Sequence, residues 1–142
     1  MKKHQWVVGV LIALLVILCV VIRQQKNAEI AQLTSLCECS AGRALEYFTQ
    51  YETQGKNSDY IKGVAEFRTF MTAYLYLNGN TSNAEYSWCN SIYGNMVLYP
   101  EKVQSNVSGL IEALEYLAAD YDNVNGFHLI NTYSNELTHG SN

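Results

Sequence analysis

Apolar and polar positions divide the chain into one uninterrupted apolar run and a longer stretch with helical periodicity. The run, Trp6–Ile22, has the sequence WVVGVLIALLVILCVVI and contains no charged residue. A helix satisfies its own backbone hydrogen bonds in lipid. At about 1.5 Å per residue the run is about 25 Å long, close to the thickness of a bilayer's hydrocarbon core. The pattern therefore predicts a transmembrane helix that contacts the lipid bilayer through residues 6–22.

Basic residues flank this run on both sides. Lys2 and Lys3 precede it, and Arg23 and Lys26 follow it. Because the two flanks carry equal numbers of basic residues, the positive-inside rule favours one orientation only weakly. The very short leading tail favours a cytoplasmic N-terminus. We therefore expect residues 1–26 to form an uncleaved signal-anchor, with the bulk of the chain extracytoplasmic.

A cleaved signal peptide, which would leave a secreted protein, is the alternative. Signal peptides share the basic start, but their apolar stretch is usually only about 7–15 residues long. The candidate small-x-small sites, Lys26-Asn27-Ala28 and Glu29-Ile30-Ala31, both have a charge at the first small position. The uncleaved anchor is thus the better interpretation.

Beyond the run, apolar residues recur at helical spacing nearly to the end of the chain. The first segment, from about Asn27 to Gln54, has an apolar stripe of Ile30, Leu33, Cys37, Ala41, Ala44, Phe48 and Tyr51. Neither Pro nor Gly separates this segment from the anchor, so one helix is expected to continue through both. Gln54-Gly55-Lys56-Asn57 is typical of a helix end.

Four further helices are expected. The second begins near Ser58-Asp59, which are good capping residues, and ends at Asn78-Gly79. The third begins at Ser82-Asn83-Ala84-Glu85, a capping-box pattern. Its predicted inner face consists of Cys89, Ile92 and Met96.

The fourth helix is expected to start at Pro100, because a proline at the first helical position loses no hydrogen bond. Its stripe is Val103, Val107, Leu110, Leu114, Leu117 and Tyr121. Asp122–Gly126 should end it, and a short last helix should carry Phe127, Ile130, Tyr133 and Leu137. Short connections favour antiparallel neighbours. The predicted fold is all-α: an N-terminal transmembrane helix followed by an up-and-down antiparallel bundle of four to five helices.

Charge is distributed unevenly along this architecture. Residues 1–26 contain four basic residues and no acid, whereas residues 27–142 contain the other five basic residues and all 13 acids, a net charge of −8. Such a domain is repelled by phosphate backbones, so we do not expect nucleic-acid binding. Residues 27–142 are predicted to be one acidic extracytoplasmic domain, since their number suits a single core.

The cysteines offer a candidate disulfide. Cys37 and Cys89 lie on the apolar stripes of the first and third helices, and helix heights at about 1.5 Å per residue place them at a similar level. Cys39 lies about 200° around the helix from that direction. Cys37 and Cys89 are therefore a candidate disulfide, which requires export of the domain to an oxidising compartment, and two reduced core thiols are the alternative.

No residue pattern predicts catalysis, a cofactor or a metal. Cys37-Glu38-Cys39 cannot easily direct two thiolates at one tetrahedral centre. Glu136-Leu137-Thr138-His139 matches Glu-x-x-His, but di-iron bundles need two such motifs and two further glutamates. Glu112 and Glu115 flank the apolar face or point outward. We therefore do not expect an enzyme.

Four tyrosines lie off the predicted stripes: Tyr47, Tyr76, Tyr86 and Tyr116. Exposed tyrosine is favoured at protein interfaces. Our leading hypothesis is a single-pass anchored interaction module that binds a protein partner or forms a homo-oligomer. The alternative is a small-molecule-binding or sensory bundle. A pocket of several hundred Å³ between the helices would favour the alternative, and a filled core with an exposed tyrosine-rich patch would favour the first.

Overall fold

The computed structural model describes residues 2–79 and 81–139, and this part of the chain is all-helical, as predicted. Its six helices are α1 (Lys2–Gln54), α2 (Asn57–Asn78), α3 (Ala84–Leu98), α4 (Pro100–Gln104), α5 (Val107–Ala119) and α6 (Val124–His139). The chain divides into two compact units, one up to Gln32 and one from Leu33. The predicted domain boundary after Lys26 lies within the first unit.

The first unit belongs entirely to α1. The expected continuation of the apolar run into the next helical segment is confirmed, because α1 has no break before Gln54. From Gly9 to Gln32 every side chain is exposed, including the large apolar residues. The side chains described in this unit therefore leave its apolar surface uncovered.

The second unit is a helical bundle around one hydrophobic core. The predicted stripes supply most of its fully buried side chains, among them Cys37, Phe48, Phe67, Ile92, Leu110, Leu114, Leu117 and Ile130. Phe70 is also fully buried, although it was not assigned to the stripe of α2. Its ring stacks on Tyr74 and Phe127, with centroid distances of 6.0 and 6.5 Å. The aromatic side chains thus join α2 to α6.

Small residues permit close approach of neighbouring helices. A Cβ atom added at Gly63 would lie 2.8 Å from Cε1 of Phe48, so α2 approaches α1 where a glycine leaves room. Gly109 in α5 leaves room for α6 in the same way, because a Cβ atom added there would lie 2.8 Å from Cδ2 of Tyr133. α3 also meets α6, where the Ser134 hydroxyl donates to Ser91 at 2.9 Å.

Two predicted helix starts need correction. α2 begins after Lys56 without a side-chain cap, and Asp59 lies inside the helix, where it pairs with Lys62 at 3.4 Å. The N-cap of α3 is Asn83 rather than Ser82, because the Asn83 side chain accepts the backbone N–H of Glu85 at 2.8 Å. Glu85 thus lies at the second helical position, too early for a capping box.

The predicted fourth helix is in fact two helices. It starts at Pro100 as expected, but α4 ends at Gln104 and α5 starts at Val107. The Ser105 hydroxyl bonds the Lys102 carbonyl at 3.0 Å, and such local side-chain bonds compete with helical hydrogen bonding. Val103 and Val107 are nevertheless both buried, so the apolar stripe survives the break.

The last helix is longer than expected and starts earlier. The Asn123 side chain accepts the N–H groups of Asn125 and Gly126 at 3.0 and 3.1 Å, which caps α6 before Val124. The predicted stripe of Phe127, Ile130, Tyr133 and Leu137 is confirmed as buried. The run His139-Gly140-Ser141-Asn142 predicts a frayed end; α6 includes His139, and residues 140–142 lie outside the described residues.

Candidate functional surfaces

The apolar part of α1 is the first candidate surface. Leu15 and Ile17 are each 60% exposed, and the other described large apolar side chains of residues 9–22 are at least 41% exposed. α1 is long and apolar enough to cross a membrane, a property that signal sequences share. Such a continuous apolar surface is costly in water and needs a cover.

A second apolar surface lies in the bundle, beside the turn that joins α3 to α4. Val97, Leu98 and Tyr99 are 54%, 70% and 51% exposed, and Ile61 of α2 is 59% exposed. Ile61 also lines an open depression of about 590 Å³, whose other lining residues are Tyr51, Gly55, Asn57, Tyr60, Met96, Pro100 and Gln104. Val97, Leu98 and Tyr99 lie in the chain between two of these lining residues, Met96 and Pro100. We call Ile61, Val97, Leu98 and Tyr99 with this depression the end patch. None of its residues carries a charge.

Internal contacts hold the end patch together. The Tyr60 hydroxyl donates to the Met96 carbonyl at 3.2 Å, which ties α2 to the end of α3. The Gln104 amide donates to the Asn57 side chain at 3.2 Å. Tyr60 also packs against Phe48, with ring centroids 5.8 Å apart. The depression is therefore walled by four helices that are bonded or packed to one another.

The end patch is not among the predicted surfaces, although the sequence contains a signal for it. Val97, Leu98 and Tyr99 are three consecutive apolar residues directly before Pro100. Three consecutive residues cover about 200° of a helix, so one core cannot bury all of them. Met96 takes the buried direction, and the three that follow remain at the surface.

A smaller apolar groove lies between α1 and α2. It holds about 340 Å³ and is lined by Leu33, Leu36, Arg68, Thr69, Thr72, Ala73 and Tyr76. The Arg68 guanidinium lies 5.7 Å from the centre of the Tyr93 ring. One of the four tyrosines predicted to form a partner surface, Tyr76, thus belongs to a groove.

The four predicted surface tyrosines differ in exposure. Tyr76 is 73% exposed and Tyr116 is 42% exposed. Tyr47 and Tyr86 are half-buried; the Lys62 ammonium lies 5.3 Å from the Tyr47 ring centre, and Tyr86 packs against the core. None of the ring contacts among the described residues joins two of the four. They are spread over four helices.

Cys37 and Cys89 are both buried and are free cysteines in this structure. The Cys37 thiol donates to the Phe70 carbonyl at 3.9 Å. Burial, and secondarily the Glu38 carboxylate, raises the pKa of Cys37 to about 12. Burial also raises the pKa of Cys89. Cys39 is exposed, as its direction on the helix predicts. The Cys37–Cys89 bond stays a prediction.

The residues considered for metal binding are dispersed. Within the described ranges, no three His, Cys, Asp or Glu side chains form a group that could hold a metal ion. Glu112, Glu115 and Glu136 are exposed, in agreement with the predicted outward direction of the first two. The side chain of His139 lies outside the described part.

Comparisons with protein-family models, with curated proteins and with solved structures found no match to this chain. The functional argument therefore rests on the surfaces described above.

Proposed function

We propose that this chain is a single-pass, membrane-anchored helical interaction module that binds a protein partner or self-associates outside the membrane. The anchor is supported by the first unit, where an uncharged apolar stretch of α1 has no cover of its own. Lipid covers such a helix at no hydrogen-bonding cost, because its backbone groups are paired internally. We propose that Lys2 and Lys3, before the apolar stretch, lie on the cytoplasmic side, so that the acidic bundle would be extracytoplasmic.

An up-and-down arrangement is the simplest path for the bundle. The connections between its successive helices are short, since only Gly55 and Lys56 separate α1 from α2 and only Tyr99 separates α3 from α4. Short connections favour antiparallel neighbours. Contacts of α2 with α3 and of α5 with α6 support this arrangement.

The observation that carries the binding role is the end patch. Leu98 is 70% exposed and Ile61 is 59% exposed. Ile61 lines a depression of about 590 Å³, and Leu98 lies in the chain between two further lining residues, Met96 and Pro100. Interface cores are depleted in charge and enriched in aromatic residues and methionine. Ile61, Leu98 and Tyr99 on the surface, with Tyr60 and Met96 in the wall, match that composition. The depression is open to solvent, so a segment of a protein partner can enter it from outside.

The test is site-specific photocrosslinking of the full chain in native membranes. A photoreactive amino acid replaces Leu98 in the end patch or, as the matched control, the exposed Thr132 of α6. We expect adducts from position 98 and none from position 132. An adduct of twice the chain's mass identifies self-association, and another discrete mass identifies a protein partner. Equal labelling at both positions, or none at position 98, would contradict the proposal.

A small-molecule-binding or sensory role is the second candidate. It is favoured by a distinct, more enclosed cavity between α3 and α6, lined by Glu85, Trp88, Asp122, Val124, Phe127 and His128. This cavity is separate from the end patch, because the two have no lining residue in common.

A further inference from the structure

The cavity between α3 and α6 has a volume of about 210 Å³. Glu85 and Trp88, three residues apart, face it from the first turns of α3. Val124, Phe127 and His128 face it from the start of α6, and Asp122 lies in the turn before that helix. Sites for drug-sized ligands usually hold about 300–1,000 Å³. This cavity therefore suits a smaller molecule.

The lining is negatively charged. Glu85 and Asp122 are carboxylates, and among the described residues neither forms an ion pair, since the recorded pairs are Arg43–Glu66 and Lys62–Asp59. The starts of α3 and α6 each add only about half a positive charge. Two full negative charges outweigh them, so the cavity attracts cations.

One hydrogen bond holds the Asp122 carboxylate, and another caps the first turn of α3, which carries Glu85. The Tyr74 hydroxyl, which is buried, donates to Asp122 at 3.4 Å. The backbone N–H of Glu85 is held by the Asn83 side chain at 2.8 Å. Burial, then the carboxylates of Asp122 and Glu85 among other groups, raises the pKa of Tyr74. This direction is consistent with a negative potential at this end of the bundle.

The remaining walls are aromatic and apolar. Trp88 is half-buried, Phe127 is buried, and the exposed Val124 stands at the rim. Tryptophan is the best aromatic partner for a cation, and quaternary ammonium groups are typically held by aromatic rings together with negative charge. A bare metal ion would need more ligands than these residues provide, and no group of three ligands exists in the described part of the chain.

We propose that this cavity is a binding site for a small organic cation of the alkylammonium class. The carboxylates of Glu85 and Asp122 balance the positive charge, and Trp88 and Phe127 contact its methyl or methylene groups. This site goes beyond the proposed interaction role and does not depend on it.

The test uses the full chain in a non-ionic detergent, with choline as the probe, and isothermal titration calorimetry at roughly pH 8, where carboxylates are ionised. The neutral isostere 3,3-dimethyl-1-butanol has the same shape without the charge. We expect saturable choline binding that is at least about tenfold tighter than binding of the isostere, since a desolvated cation–aromatic contact has roughly that effect.

Variants then locate the site. Glu85→Gln and Trp88→Leu should each weaken choline binding about tenfold. Glu112→Gln removes one exposed carboxylate from α5, and should leave binding unchanged. Circular dichroism establishes that each variant is folded, and Asp122→Asn replaces Glu85→Gln if the latter is not. Three results would overturn the proposal: no saturable choline binding, equal affinity for the isostere, or an equal loss in Glu112→Gln.

Discussion

At the scale of single residues, burial governs the chemistry of the cysteines. Cys37 and Cys89 are 0% and 1% exposed, and burial is the largest cause of the raised pKa of each. A buried neutral thiol is unreactive, because the thiolate is the nucleophile. The role of these two cysteines therefore depends on whether they form a disulfide bond. Such a bond requires the two Cα atoms to lie within about 7 Å of each other.

The disulfide prediction is tested by three single serine variants and one double variant. If the bond forms, Cys37→Ser and Cys89→Ser should lower the free energy of unfolding equally, by up to about 4 kcal/mol for a loop of this length. The double variant should be no worse than either single one, because both break one bond. Cys39→Ser, at an exposed position, is the nearly neutral control. Mass spectrometry of a non-reduced digest should find the two fragments linked. Alkylation of both thiols in denaturant without reductant would show that the bond is absent.

The reduced protein should lose stability at alkaline pH. The ordinary pKa of a cysteine thiol is 9.0, and in the folded state that of Cys37 is about 12. Between these values the unfolded state has released the proton and the native state has kept it, so the free energy of unfolding falls as pH rises. Cys37→Ala should flatten this slope in urea titrations between about pH 9 and 11. An unchanged slope would contradict the assigned burial.

A buried and an exposed residue of α5 test the predicted helix face. Leu114 is fully buried and Glu112 is exposed. Leu114→Ala should cost about 2–5 kcal/mol through lost transfer energy and a cavity. Glu112→Ala should cost less than about 0.5 kcal/mol. Chemical denaturation of the full chain in detergent measures both, and equal effects would mean that the face is wrong.

At the scale of elements, the packing of two helices depends on where a glycine of one helix lies against an aromatic ring of the other. Gly63 in α2 lies against the fully buried Phe48, whereas Gly94 in α3 has open space around its Cβ direction. Both lie inside helices, where alanine is intrinsically preferred to glycine by about 1 kcal/mol. Alanine substitution at the two positions therefore distinguishes the effect of helix propensity on stability from the effect of interhelical packing.

Alanine substitutions at these glycines should act in opposite directions. Gly94→Ala should stabilise the protein by about 0.5–1 kcal/mol. In Gly63→Ala the new methyl group would lie 2.8–2.9 Å from ring carbons of Phe48, a fully buried side chain. That overpacking should cost about 1–3 kcal/mol and exceed the gain in propensity. Thermal unfolding of the two variants side by side measures the difference. Stabilisation by both would contradict the close α1–α2 contact.

At the scale of the whole molecule, charge and apolar surface are separated along the chain. Residues 1–26 are apolar and basic, and all the acids follow them. The first unit leaves its apolar side chains exposed, while the second buries its stripes in one core. This division supports the proposal that the two parts occupy different environments.

The proposed anchor predicts membrane retention. The full chain should remain with membranes during carbonate extraction and keep its N-terminal residues. Leu14→Arg, which places a charge near the middle of the apolar run, should disfavour insertion by about 2.5–3.5 kcal/mol. Thr34→Arg, outside that run, is the matched control. A mature N-terminus after Ile22 would instead establish signal-peptide cleavage and a secreted protein.

The sequence by itself determined the helical class and most of the buried face of each helix. An apolar repeat of three and four residues can bury one face only as a helix, which is why Leu110, Leu114 and Leu117 were placed correctly. The end of α2 at Gly79 was also predictable, since its φ of 63° favours glycine.

Only the tertiary structure decided how the surfaces are assembled. Ile61 and Met96 are 35 residues apart in the sequence, and Glu85 and Asp122 are 37 residues apart, yet each pair lines a single depression or cavity. The spacing of apolar residues predicts which side of a helix faces the core. It does not predict which other helix that side contacts, or where along the two helices the contact lies. Packing of large and small side chains, such as Phe48 against Gly63, sets both, and it therefore creates the end patch and the cavity between α3 and α6.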